Sequence, residues 1–353
     1  MDMTFNSSEK NAGIYQLFIR PLLFRMDPEF VHIQTLKLLS AAGRLKPVHF
    51  LLKKSFDAHS QRDLSVNAFG LRFPNPVGLA AGYDKDGAAW RGLETLGFGH
   101  VEIGTITPFP QYGNPKPRVF RIPEEEALIN RMGFPGRGVE YLRERIAQSR
   151  ISPTSTILGI NIGKNGDTPI EDAAVDYLNL FNKLYDLADY IVVNVSSPNT
   201  IGLRRLQARH HLEILLKELS DDRIRVDTKV PILVKISPDL TEEELDDVVG
   251  TVVDTEMDGI IAVNTTVNRE QLGSPLITET GGLSGTPLTD ISRRFVSDIY
   301  RKTGGKLPIV GVGGIMTPDQ AKSMLDAGAL LIQIFTGLIY SGPGLVKNIL
   351  KNL

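Results

Sequence analysis

The 353-residue chain contains no cysteine. Disulfides, thiolate metal sites and a cysteine nucleophile or base are therefore excluded. Its six histidines, His32, His49, His59, His100, His210 and His211, show no HExxH or other ligand spacing, so no metal site is expected. A strong charge of either sign is missing too, since 39 Lys and Arg stand against 41 Asp and Glu for a net charge of -2. No basic run is dense enough to clamp a phosphate backbone, and nucleic acid is not an expected partner. There is no stretch of about 18 uninterrupted apolar residues. The N-terminus lacks the charged, apolar and small-residue order of a secretory signal, so the protein is expected to stay inside the cell without spanning a membrane. What remains is an ordinary globular composition, 42% hydrophobic and 23% charged, long enough for one large core or two smaller ones.

The apolar segments that do occur are short and recurrent. VGLA (77 to 80), HVEIGT (100 to 105), ILGINIG (157 to 163), YIVVNV (190 to 195), ILVKI (232 to 236), GIIAVNT (259 to 265), IVGVG (309 to 313) and LIQIFT (331 to 336) alternate with helical segments. Eight buried parallel strands in a βα rhythm predict a TIM-type (β/α)8 barrel, because each parallel strand needs a crossover and closure removes the sheet edges. A doubly wound open sheet is the alternative. Before the barrel, LSVNAFGLRFP (64 to 74) reads as a hairpin turning near Gly70.

The N-terminal part is different. Residues 1 to 11 are polar and expected to fray. Two short helices are predicted between residues 13 and 42, split near Pro21 and again at Asp27 and Pro28, where Asp27 can cap and Pro28 fits the first turn. The first is apolar nearly all round. The pair either packs on the main domain or dips an apolar face into lipid headgroups, giving a lipid-soluble partner access to a soluble enzyme. Residues 1–45 are thus read as a helical extension and 46–353 as the barrel domain. Two insertions interrupt the barrel rhythm: a proline-bounded hairpin around VFRI between 106 and 130, and a glycine-rich stretch from 266 to 290 read as a long mobile loop.

In such barrels the chemistry collects at the C-terminal ends of the strands. YIVVNVSSPNTIG (190 to 202) shows this most clearly, an apolar run that stops at Asn194, Ser196, Ser197, Asn199 and Thr200. A polar cluster there is either self-satisfied turn chemistry or a ligand site. The other runs end alike: the first in Ala80, Ala81, Gly82, Tyr83, Asp84 and Lys85, the next in Thr105, then Asn161, Lys235, and Asn264 with Thr265. Six in register are hard to explain as caps. The last two end in GVGGI (311 to 315) and FTG (335 to 337), glycine loops where barrels commonly hold a phosphate. A flavin mononucleotide fits, with amides and a lysine on its ring and glycines on its phosphate. A phosphorylated sugar with Lys235 as a Schiff-base amine, as in an isomerase or aldolase barrel, fits as well.

AAGYDKDG (80 to 87), EIGTITP (102 to 108), KPRVFR (116 to 121), INRMGF (129 to 134), GINIGKN (159 to 165), VNVSSPNTIGLR (193 to 204), VKISPDL (234 to 240), NTT (264 to 266), GGLSG (281 to 285) and GVGGI (311 to 315) occur in order. Together they resemble the dihydroorotate dehydrogenase family over roughly residues 13 to 345. The family's soluble branch uses a cysteine base in the loop after the fourth strand. This chain has Ser197 there, and with its apolar helices at 13 to 42 it resembles the quinone-dependent, membrane-associated branch.

The resemblance implies oxidation of (S)-dihydroorotate to orotate in UMP biosynthesis. Ser197 would take a proton from C5 while a hydride leaves C6 for N5 of FMN, with Thr200 as a relay through water. Substrate would be held by Lys85, Asn130, Asn194, Asn199, Asn264 and Thr265, beside Arg131, Met132, Gly133 and Phe134. FMN, one per chain, would be surrounded by Ala81, Gly82, Tyr83, Asp84, Lys85, Thr105, Asn161, Asn194, Lys235, Val263, Gly285, Gly314, Phe335 and Thr336. His32 and Arg121 match the family's quinone positions. Val263 stands where the family usually has threonine, and Phe335 where it usually has a tyrosine that helps bind quinone. A monomer, peripheral on the cytoplasmic face of the inner membrane, is expected. Removing residues 1 to 42 is expected to spare reduction by dihydroorotate and to impair reoxidation by quinone. Competing readings are another flavin barrel acting on a dihydropyrimidine or on tRNA dihydrouridine, the phosphosugar barrel, and a non-catalytic membrane-peripheral protein.

Overall fold

A computed structural model describes residues 13–58, 62–149, 154–270, 272–273 and 275–353. The segment expected to fray, 1 to 11, lies outside the described residues. A π-helical turn, Tyr15–Ile19, leads into the short helix α1, Arg20–Leu23. Helix α2, Pro28–Arg44, starts where expected: Asp27 Oδ1 accepts from the Phe30 amide at 2.7 Å, and Pro28 occupies the first turn, where its missing N–H costs nothing. A third helix, α3 (Lys46–Phe56), follows α2 and was not anticipated. It is held to the barrel by His49, whose Nε2 lies 2.8 Å from Glu94 Oε1.

The strands in chain order are β1 Val66–Ala68, β2 Leu71–Phe73, β3 Val77–Leu79, β4 His100–Ile106, β5 Val119–Ile122, β6 Ala127–Asn130 and β7 Ile157–Ile162. They continue with β8 Tyr190–Asn194, β9 Ile232–Ile236, β10 Gly259–Ala262, β11 Gly282–Gly285, β12 Ile309–Val312 and β13 Leu331–Ile334. β3, β4, β7, β8, β9, β10, β12 and β13 close into one parallel barrel in chain order. All eight are the predicted apolar runs, and the doubly wound alternative is dismissed.

Strand alternation sorts the barrel's residues. Val101, Ile103, Ile160, Ile191, Val193, Val234 and Ile260 face the surrounding helices and belong to the large core cluster. Tyr190, Val192, Leu233, Ile261, Val310 and Leu331 face inward and pack with Ala68 and Phe73 of the β1–β2 hairpin, which plugs the N-terminal end. The hairpin turns at Phe69 and Gly70, both with positive φ (53° and 74°), the conformation that a two-residue hairpin turn demands. Each buried side chain of this kind contributes about 1.5–3 kcal/mol.

The two insertions meet over the other end. β5 and β6 form the expected hairpin, with Pro123 opening the turn between them. The stretch from 266 to 290 differs from the expected long loop, because Gly282–Gly285 pairs antiparallel with β6 to complete a three-stranded sheet. Its glycines hid the strand. The pairing partner, not local propensity, makes it one, and Leu283 is then buried with Ile122, Ile129 and Leu272.

Candidate active site

One cavity of about 470 Å³ runs from the C-terminal ends of the barrel strands, beneath the three-stranded sheet, to the space between α1 and α2. Lys85, Asn130, Met132, Gly133, Phe134, Asn194, Ser197, Asn199, Asn264 and Thr265 line it. So do Ala81, Gly82, Tyr83, Thr105, Lys235, Val263, Gly285, Gly314, Phe335 and Thr336, and, at the helical end, His32 and Arg121. Asp84, Arg131, Asn161, Ser196 and Thr200, also singled out in the sequence, do not line it. Asp84 is fully buried and accepts from the Ala88 and Ala89 amides at 2.8 and 2.7 Å; burial pushes its carboxyl up to about 6. Asn161 is a second layer behind Thr105. Arg131 turns outward, pairing with Glu279 and donating to the Pro117 carbonyl at 2.9 Å. Thr200 is buried, and its Oγ1 has no hydrogen-bond partner among the described residues.

The barrel end is a directed hydrogen-bond chain. Glu102 Oε1 accepts from Asn161 Nδ2 at 2.8 Å, Asn161 Oδ1 from Thr105 Oγ1 at 2.6 Å, and Thr105 Oγ1 from Asn194 Nδ2 at 2.8 Å. Asn194 Oδ1 accepts from Ser196 Oγ at 3.1 Å and from Asn264 Nδ2 at 3.3 Å. On its other side Glu102 Oε2 accepts from Gln333 Nε2 at 2.6 Å, leaving Gln333 Oε1 buried and unpartnered in the cavity wall. A carboxylate only accepts, so it orients every amide downstream. Lys235 shares this floor: burial lowers its pKa, and the nearby Glu102 offsets part of that loss. Glu102 and Gln333 were both missed in the sequence. The available signal was a charge and an amide inside the buried runs HVEIGT and LIQIFT.

The Ser197 loop is fixed by its neighbours. The Asn199 amide donates to Ser197 Oγ at 3.3 Å, and Asn199 Nδ2 to Asn130 Oδ1 at 3.2 Å. Arg204 donates to the carbonyls of Ser196 and Thr265 at 3.2 and 3.0 Å while pairing with Asp239 at 2.7 Å. Lys85 Nζ donates to the Gly82 carbonyl at 2.5 Å. Burial first, then the Arg118 charge, bring Lys85 down to about 8. At the glycine end Gly314 has φ +69°, and a Cβ there would sit 2.3 Å from Thr289 Cα, so only glycine brings backbone this close. Ser284 Oγ and Thr336 Oγ1 lie 2.8 Å apart beside it.

A sequence profile described as Dihydroorotate dehydrogenase matches residues 63–353. The chain belongs to the dihydroorotate dehydrogenase family. Among its relatives, the protein named Dihydroorotate dehydrogenase (quinone) of Chromobacterium violaceum is 47% identical over 333 residues, 93% of this chain and 94% of that one. Its namesake in Cellvibrio japonicus is 49% identical over 93% of this chain and 95% of its own. The crystal structure of the Eimeria tenella enzyme in complex with ferulenol superposes with a TM-score of 0.82 at 38% identity, covering 95% of this chain and 93% of that one. Family membership agrees with the barrel seen here.

At the helical end the cavity has apolar walls, Leu23, Phe24, Val31, Leu38 and Leu39. The His32 ring meets Tyr83 edge-on at 5.0 Å, and burial, with Lys85 nearby, lowers its pKa to about 3, so the imidazole is neutral. Arg121 donates to the Leu23 and Met26 carbonyls at 3.1 and 3.2 Å and lies 4.6 Å over the Phe24 ring. Phe335 packs edge-on against Tyr83 at 5.7 Å.

Proposed function

We propose that the protein oxidises (S)-dihydroorotate to orotate in pyrimidine (UMP) biosynthesis, with FMN as cofactor and a membrane quinone as final acceptor. The observation that carries this reading is a serine hydroxyl, in a chain without cysteine, set among Lys85 and four asparagines on one cavity wall. The names of the relatives, 47–49% identical over nearly their whole length, support it.

The residues present fit FMN. The unpartnered Gln333 Oε1 offers a buried acceptor for a ring N–H, and Thr105, Asn194 and Lys235 offer polar side chains beside it. Gly285, Gly314 and the Thr336 hydroxyl form a tight backbone cradle for a phosphate. FMN, when bound, would supply the two-electron acceptor for the substrate's hydride and the link to quinone. The chain's own groups do the rest. Lys85, protonated below about pH 8, binds the substrate carboxylate. Asn130, Asn194, Asn199 and Asn264 hold its ring amides, and Ser197 Oγ takes the C5 proton. A serine hydroxyl is a weak base, so the proton must move on; the orphaned Thr200 Oγ1, three residues away, is the relay partner through water. Phe134 covers the pocket against water.

The helical end takes the quinone, with neutral His32 and the Arg121 guanidinium as hydrogen-bonding groups. Phe335 has no hydroxyl to add. Ile14, Leu17, Phe18, Leu22 and Leu38 are exposed on and around the first helices, and no described helix is long and apolar enough to cross a membrane. This element, residues 1–45, lies on the cytoplasmic face of the inner membrane as a peripheral anchor of a monomer, with 46–353 as the catalytic barrel. The phosphosugar reading of Lys235 loses its support once the family is known. The test is the anaerobic visible spectrum before and after dihydroorotate. A flavin band that bleaches is the expected result; a band that persists would give the barrel another substrate.

A further inference from the structure

The N-terminal helices reach beyond the quinone end of the cavity. Glu29, in the first turn of α2, is buried, takes a two-pronged hydrogen bond from Arg118, Nη2 to Oε1 at 2.7 Å and Nε to Oε2 at 3.1 Å, and pairs with the exposed Lys116 Nζ at 3.2 Å. Arg118 is equally buried, one residue before β5. Its Nη1 donates to the carbonyls of Tyr112 and Asn114 at 2.6 and 2.9 Å. Asn114 Nδ2 in turn donates to the carbonyls of Arg131 and Asn199 at 2.9 and 3.1 Å, and the Asn199 amide donates to Ser197 Oγ. An unbroken series of bonds therefore joins α2 to the loop that carries Ser197. A buried guanidinium stripped of its carboxylate is costly, so this pair resists separation.

We infer that Glu29 is a positioning residue for the dihydroorotate end of the site: through Arg118 and Asn114 it fixes the Ser197 loop, and its charge offsets Arg118 beside Lys85. The inference rests on the substrate reading above. It gives the N-terminal element a part in the first half-reaction, where the sequence suggested a part in quinone access alone. The groups acting on Lys85 are Arg118, which lowers its pKa beyond the effect of burial, and Asp86, Glu29 and Asp84, which raise it. Neutralising Glu29 tips that balance. Lys85 then loses its proton at lower pH, and a carboxylate ligand loses its cation sooner as pH rises.

The full-length FMN-loaded protein in detergent provides the test. Orotate affinity is titrated by its perturbation of the flavin spectrum between about pH 6 and pH 10, the range spanning a lowered lysine, and bleaching by dihydroorotate is timed anaerobically. Glu29→Gln should weaken orotate binding about tenfold at neutral pH and move its alkaline fall to lower pH. Glu29→Gln with Arg118→Gln removes both charges; its alkaline fall should return toward the wild-type position while binding stays weak, because Asn114 has lost its brace. A purely structural role for the pair would leave the pH profile in place, and an unchanged profile and affinity in Glu29→Gln would overturn the inference. Wild-type protein that binds flavin but does not bleach would instead overturn the substrate reading, and this role with it.

Discussion

The two ends of the cavity are built by opposite rules. At the barrel end Thr105, Asn161, Asn194, Ser196 and Asn264 are each held by at least one side chain, and their polarity is dictated by Glu102. At the helical end the walls are aliphatic and aromatic, and the polar groups are few. Directional bonds hold atoms to a fraction of an ångström, which proton abstraction needs. Apolar walls accept a partner in more than one pose, which suits a long lipid-soluble molecule sliding in and out. On the proposed reading, the difference separates a site for making and breaking bonds from a site for admission.

Three substitutions test that separation. Ser197→Ala should slow bleaching by dihydroorotate at least about a hundredfold, the range for loss of a general base. The flavin band should be retained, since among the described residues Ser197 Oγ enters the site's network only by accepting one 3.3 Å bond. Stopped-flow absorbance decides it, and an undiminished rate would move the proton to another group. Thr200→Val should slow the same step about tenfold as a lost relay. Its melting temperature should hold or rise, because the hydroxyl it loses is buried without a partner. A stability loss without a rate loss would make Thr200 structural. Phe18→Ser, at an exposed position before α1, should leave bleaching untouched and weaken flotation with anionic vesicles about fivefold, the equivalent of about 1 kcal/mol of lost apolar burial. Slower bleaching in that variant would blur the boundary between the two ends.

Much of this architecture was legible in the sequence, for physical reasons. Strands covered on both faces leave uninterrupted apolar runs, and the polar residue that ends each run marks the open end of the barrel. Asp27 and Pro28 announced a helix start because capping is local chemistry. What stayed hidden depends on partners distant in the chain. Gly282–Gly285 is a strand only because β6 lies beside it. Glu102 reads as one charge in an apolar run until Asn161 and Gln333 are seen on its two oxygens. Lys46–Phe56 was overlooked although Pro47 sits in its first turn and the lysines Lys53 and Lys54 in its last, an ordinary start and stop pattern. Glu29 and Arg118, 89 residues apart, carry no mark that would pair them.

The three-stranded sheet over the cavity sets an order of events during synthesis. β5 and β6 leave the ribosome as a hairpin, but their third strand is more than 150 residues further along, and Gly314, Phe335 and Thr336 come later still. A chain emerging at about 5–20 residues per second exposes the Ser197 loop several seconds before the Gly314 loop that forms the other side of the cavity. On the proposed reading, the nascent protein therefore holds Ser197 and the asparagines beside it for a time without the glycines that would grip a nucleotide. On that reading, cofactor capture is among the last things this chain can do.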